Sequence, residues 1–138
     1  MWEGELAIRH SGCPISDTCA EYPGLKLENV SRVRVADGIA KRLLRVNGKN
    51  ETITAFAESF RNHDATAKLE KVSGAESTET YFVAQIAYTS DNPSILSMMD
   101  RSGCFQSSNV IVRRGIEHWT VYTGEKESLR ELVGRLEN

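Results

Sequence analysis

The sequence predicts an α+β fold made of two successive units of one plan, residues 1–76 and 77–138, with antiparallel sheets. Strand-like and helix-like runs alternate throughout, turn-forming dipeptides separate paired strands in each half, and the order of elements in the first half recurs in the second. A chain of 138 residues suffices for one ordinary core, or for two small halves packed on each other.

Glu3 to Arg9 alternates as a strand. Pro14 to Tyr22 follows as a short helix, with Ser16 and Asp17 available as caps and Pro23-Gly24 closing it. From Leu25 to Val46 the chain is rich in Val, Leu and Arg, and Asp37-Gly38 breaks it with a dipeptide suited to a hairpin turn. After Asn47-Gly48, the positions of Ile53, Phe56, Ala57 and Phe60 line one face of a helix reaching about Asn62. Ala67 to Val72 closes this half as a strand. The second half opens with Tyr81 to Tyr88, whose apolar density predicts a central strand covered on both faces. Asn92-Pro93 supplies a cap and a first-turn proline for a short helix that turns Ile95, Leu96, Met98 and Met99 inward and ends near Gly103. Val110 to Arg114, Gly115, and Ile116 to Thr123 make a second hairpin, after which Leu129, Leu132, Val133 and Leu136 repeat the helical spacing.

Set side by side, both halves read strand, short helix, strand, strand, helix, and only the first adds a closing strand. Val46-Asn47-Gly48-Lys49-Asn50-Glu51 lies opposite Tyr122-Thr123-Gly124-Glu125-Lys126-Glu127 at the same hairpin-to-helix junction. The order βαββαβ is the ferredoxin-like plan, two helices on one face of a four-stranded sheet. The expectation is therefore two tandem ferredoxin-like units, the second lacking its last strand, in a chain that continues beyond Asn138 in its parent protein. Such small units gain by packing on each other or by forming a homodimer.

Hydrophobic residues make up 40% and charged residues 26%, as in ordinary globular proteins, and no apolar run is long enough to cross a bilayer. No membrane partner is expected. Met1-Trp2-Glu3-Gly4-Glu5-Leu6 has neither the basic nor the apolar region of a secretory signal, so the expected compartment is cytoplasmic. The net charge is -2, and basic residues cluster only locally, at Arg32/Arg34, Lys41/Arg42/Arg45 and Arg113/Arg114. Nucleic-acid binding through this segment is disfavoured, because phosphate neutralisation needs a concentrated basic face. Cys13, Cys19 and Cys104 cannot all pair within one chain, and free thiols are expected.

His10-Ser11-Gly12-Cys13, with Cys19 six residues on, concentrates the soft ligands of the chain. One imidazole and two thiolates, His10, Cys13 and Cys19, can hold zinc or a related metal if a fourth ligand such as Cys104 arrives. Cys13 at a helix N-terminus is also a candidate thiol sensor, since that position lowers a cysteine pKa. The same strand-to-helix turn presents backbone N–H groups to a carboxylate, which makes His10, Ser11, Gly12, Cys13 and Ser16 candidate ligand-binding residues. The corresponding turn of the second half, Ser90 to Ser94, adds Asp91 and Asn92. Against these stands the plainer reading of helix capping and of cysteines packed as small hydrophobes. No Gly-x-Ser-x-Gly, P-loop or Gly-x-Gly-x-x-Gly occurs, and His63 and His118 are isolated, so an enzyme is not expected and no particular cofactor is implied.

Arg9-His10-Ser11-Gly12-Cys13-Pro14, with Trp2 before it and Val30-Ser31-Arg32-Val33 after it, resembles the start of archaeal bacterio-opsin-activator-type helix-turn-helix regulators. The likeness covers the first third by residues and the remainder by order of elements. It implies the sensing part of an archaeal transcription regulator, similar to ACT-like effector domains, in which a small molecule binds between two such units near these turns. DNA would then be contacted only through a C-terminal domain outside this chain. The modest acidity fits a non-halophilic source. The expected function is thus small-molecule, redox or metal sensing. The alternatives are a structural dimerisation module and a small cysteine-dependent enzyme.

Overall fold

A computed structural model describes residues 1–36, 38–72, 79–107 and 109–137. Asp37 of the expected turn, the unit boundary between Glu76 and Ser77, and Asn138 lie outside the described residues. The elements are β1 (Trp2–Ile8), α1 (Pro14–Glu21), β2 (Lys26–Ala36), β3 (Ile39–Asn47), α2 (Asn50–Arg61), β4 (Thr66–Lys71), β5 (Thr80–Ala87), α3 (Ile95–Arg101), β6 (Phe105–Gln106), β7 (Val110–Arg113), β8 (Ile116–Thr123) and α4 (Lys126–Glu137). The fold is α+β, and all strand pairings are antiparallel.

The strands form a single sheet in the order β1-β8-β7-β2-β3-β5-β4, with the short β6 also beside β8. Two closed tandem units would place β1 between β3 and β4. Instead β1 pairs with β8 along its whole length, from Trp2 opposite Thr123 to Ile8 opposite Glu117, and β5 fills the place between β3 and β4. Composition explains the exchange. β1 carries Glu3, Gly4 and Glu5, which suit a sheet edge, whereas Phe82, Ala84 and Ile86 of β5 are apolar enough for an interior position. Pairing of β2 with β7, from Lys26 opposite Arg113 to Asn29 opposite Val110, joins the two halves.

The alternation of β5 is one-sided, contrary to the coverage of both faces expected from its composition. Phe82, Ala84 and Ile86 are buried while Tyr81, Val83 and Gln85 stay half-buried on the other face. Local caps also differ from expectation. Pro14 is the first residue of α1 with Cys13 as N-cap, so Ser16 and Asp17 lie inside the helix. Ser94, not Asn92, caps α3, its Oγ accepting from the Ser97 N–H at 3.1 Å. In α1 the shift follows from Pro14, which favours the first turn and cannot sit deeper without removing a helical hydrogen bond, whereas Pro93 precedes the α3 cap and lies outside the helix.

Arg114 and Gly115 both have positive φ, 55° and 82°, as a two-residue type I′ hairpin between β7 and β8 requires. All four helices contribute to one hydrophobic core with the inward residues of the sheet, including Ile15, Phe56, Phe60, Met99 and Leu132 beside Leu27, Leu44, Ile86 and Val121. Helix α1 packs on α2 and α3 on α4. No helix among the described residues is long and apolar enough to cross a membrane.

Candidate functional site

Several strands place charged side chains at core-facing positions. On β3, Ala40, Leu44 and Val46 face inward, and alternation puts Arg42 among them, only 5% exposed. On β8 the same parity sets Glu117, 3% exposed, beside Trp119 and Val121. A bulge in β2 between Asn29 and Ser31 shifts the register by one residue and brings Arg32 directly opposite Arg42.

Two guanidinium groups opposed on the buried face repel each other. Burial and the Arg42 charge lower the pKa of Arg32 from its ordinary value. Arg32 donates to the Asn29 carbonyl at 2.7 Å and to Gln106 Oε1. Arg42 donates to the Lys41 carbonyl at 3.3 Å and lies 5.8 Å from the centroid of the Tyr88 ring. Among the described residues neither arginine has a carboxylate within ion-pair distance, whereas Arg45 on the opposite face pairs with Glu28 and Glu79. Asn29 Oδ1 and Gln106 Nε2, close by, are buried without a hydrogen-bond partner among the described residues.

These arginines border a cavity of about 510 Å³. Its lining includes Arg32, Arg42 and Tyr88 together with Ser94, Ser97, Asp100 and Arg101 of the α3 segment. A second cavity of only about 10 Å³ lies deeper, against His10, Asn29, Arg42, Tyr88, Glu117 and Trp119. Arg42, Tyr88 and Leu96 belong to both linings.

The two strand-to-helix turns singled out in the sequence meet here. His10 Nε2 lies 3.0 Å from Asn92 Oδ1, and Asn92 Nδ2 donates to the Ser11 carbonyl at 3.2 Å. Gly12, with φ +83°, admits this contact: a Cβ there would lie 2.6 Å from Asn92 Nδ2. The imidazole of His10 stacks on Tyr88, with centroids 5.9 Å apart and planes 4° from parallel. Ser16 Oγ accepts from the His10 N–H and donates to Glu117 Oε2 at 2.8 Å, while Trp119 Nε1 donates to Glu117 Oε1 at 3.2 Å. Asp91 is exposed.

The amides that such a turn would offer a carboxylate are already engaged in part. Gly12 N–H donates to Asp17 Oδ2 at 3.0 Å and Cys13 N–H to the His10 carbonyl at 3.2 Å. The expected lowering of the Cys13 pKa is reversed. Burial first, and then the Glu117 charge, push the thiol up to about 12, against smaller opposing bonds from Tyr88 and the backbone. Burial also raises the pKa of Glu117, although Ser16 and His10 act the other way. Tyr88 is raised well above its ordinary value, again chiefly by burial.

Cys19 does not join His10 and Cys13. Six residues further along α1, it turns to another face of the helix, where its Sγ lies 3.7 Å from the Val112 carbonyl. Cys104 sits between Ser102 and the α4 segment, its Sγ 3.5 Å from the Ser128 carbonyl. Glu117 takes the third place in the group instead. Sequence reasoning passed over Arg42, Tyr88 and Glu117. For Arg42 and Glu117 the signal was a charged residue at the inward parity of an otherwise apolar strand.

A family model described as HVO_2525_N, N-terminal, matches residues 3–138. No curated protein and no solved structure matches the chain.

Proposed function

The chain belongs to the HVO_2525_N, N-terminal family, and from that premise we propose that it is the sensing domain of an archaeal transcription regulator that binds a small acidic effector. The observation that carries this reading is the opposed pair Arg32 and Arg42, which border the larger cavity with no carboxylate within ion-pair distance among the described residues, Asp100 lining the same cavity near Arg101. A buried, unpaired guanidinium is costly, and an acid group of a ligand would offset that cost with charge-assisted bonds. Ser94 and Ser97 add hydroxyls and Leu96 an apolar surface, a mixture suited to a small carboxylate.

Occupancy has a route to the rest of the fold. Arg42 lies over Tyr88, Tyr88 stacks on His10, and His10 belongs to the turn that links β1 to α1. A ligand that draws the guanidinium outward would therefore bias the β1–α1 turn as well. In this reading the chain is a pair of ferredoxin-like, ACT-like units, divided near residues 76 and 77, that have exchanged their first strands. The resemblance to bacterio-opsin-activator-type regulators assigns DNA contact to helices outside residues 1–138, and the protein acts in the cytoplasm as a homodimer without catalysis.

A thermal-shift and calorimetric screen of small mono- and dicarboxylates, with inorganic phosphate as comparison, tests the proposal. At a hundred times Kd a true effector adds about 2.7 kcal/mol, several degrees in Tm. Arg42→Met should abolish that shift and, without ligand, leave the protein as stable as before or more so. No response to any acid, together with a destabilised Arg42→Met, would overturn the reading in favour of a purely structural arginine.

A further inference from the structure

We infer that His10, Cys13 and Glu117 form a divalent transition-metal site, with Zn²⁺ the ion that its nitrogen, sulfur and oxygen donors suit. A ring nitrogen of His10, Sγ of Cys13 and a carboxylate oxygen of Glu117 lie within 4.8 Å of one another, and all three residues are buried. Donors around a tetrahedral zinc stand about 3.5 Å apart, so closing the group on an ion needs a contraction of roughly an ångström. His10 and Cys13 share one turn, and Glu117 comes from the start of β8. Pairing of Ile8 with Glu117 at the end of β1 brings the turn carrying His10 and Cys13 over the start of β8.

Each donor already has the kind of neighbour that orients a metal ligand. Asn92 Nδ2 donates to the Ser11 carbonyl, so Oδ1 is the atom turned to His10. That oxygen can only accept, so Nε2 donates to it and Nδ1 is the ring nitrogen open to an ion. Ser16 and Trp119 donate to the two oxygens of Glu117. Tyr88 Oη lies 3.3 Å from Cys13 Sγ, and the small cavity of about 10 Å³ adjoins His10, Tyr88 and Glu117. Either the phenol oxygen or one solvent molecule there supplies the fourth position.

The charge balance also favours an ion. A thiolate and a carboxylate neutralise a divalent cation within this buried site. Arg42 then keeps its charge for an anion in the adjoining cavity. The site does not depend on that anion.

The test uses the whole chain, reduced and stripped with a chelator, then equilibrated with Zn²⁺ or Co²⁺. The expected result is one ion retained per chain after desalting, and in the Co²⁺ form a thiolate-to-metal charge-transfer absorption. Cys13→Ser should remove that absorption, whereas Cys19→Ser and Cys104→Ser should keep it. Glu117→Gln, which preserves side-chain size and guards against misfolding at Cys13, should weaken Zn²⁺ binding, as should Asn92→Ala by roughly 10–100-fold. Failure to retain any ion overturns the assignment. So does charge transfer that survives Cys13→Ser or vanishes in Cys19→Ser, or unchanged Zn²⁺ affinity in a folded Glu117→Gln.

Discussion

Cys13 shows how far a residue can depart from the behaviour of its position. A cysteine heading a helix ordinarily ionises readily, yet burial holds this thiol at about 12. Iodoacetamide should therefore label Cys13 at least a thousandfold more slowly in the native protein than after unfolding in urea. Fast native labelling would restore the case for a reactive thiol. Asp17 provides the complementary case. Burial alone would raise its pKa, but bonds from His63 at 2.8 Å and Arg9 at 3.0 Å hold it below the ordinary value. Its contribution is thus present at neutral pH and lost as pH falls through the lowered folded value. Asp17→Asn should cost about 1 kcal/mol at pH 7, limited by solvent screening, and nothing in strong acid, as measured by urea unfolding across pH. The His10–Cys13 turn and its partner turn at Asn92 were legible because each lies between a strand and a short helix, with a proline at or just before the helix start. The sequence did not show Arg42 or Glu117, whose inward orientation depends on strand parity and, for the opposed Arg32, on a bulge.

At the scale of elements, periodicity was the dependable guide. Ile53, Phe56, Ala57 and Phe60 are all buried on α2, as their spacing requires. Strand runs were also legible, though coverage was not: Tyr81 to Tyr88 is apolar enough to suggest two covered faces, while the sheet covers one. The β7–β8 hairpin makes the closest test of element packing. A Cβ on Gly115 would lie 2.7 Å from Ala20 Cβ and 2.9 Å from the Ser16 carbonyl, at a φ that L residues rarely adopt. Gly115→Ala should destabilise the fold by about 2 kcal/mol or more, through strain in the turn and displacement of α1. A loss below half of that in chemical denaturation would mean that the hairpin and α1 are not pressed together.

For the whole molecule, the α+β class and the order of elements were legible in the sequence, but not how the strands are arranged in one sheet. Partner choice depends on which strand best tolerates an interior position, a comparison between β1 and β5 that neither strand reveals alone. The halves should consequently be interdependent. A chain of residues 1–76 should lack a cooperative unfolding transition by itself, and mixing with residues 77–138 should restore one. Independent folding of either piece would contradict the exchange.

The pairing of β1 with β8 also bears on the order of events during synthesis. Trp2 is synthesised well before its partner Thr123. Contacts so distant along the chain slow folding, because a long loop must be closed before they form. β1 must wait, unpaired, until β8 has been translated, so the strand made earlier joins the sheet only after the one made later.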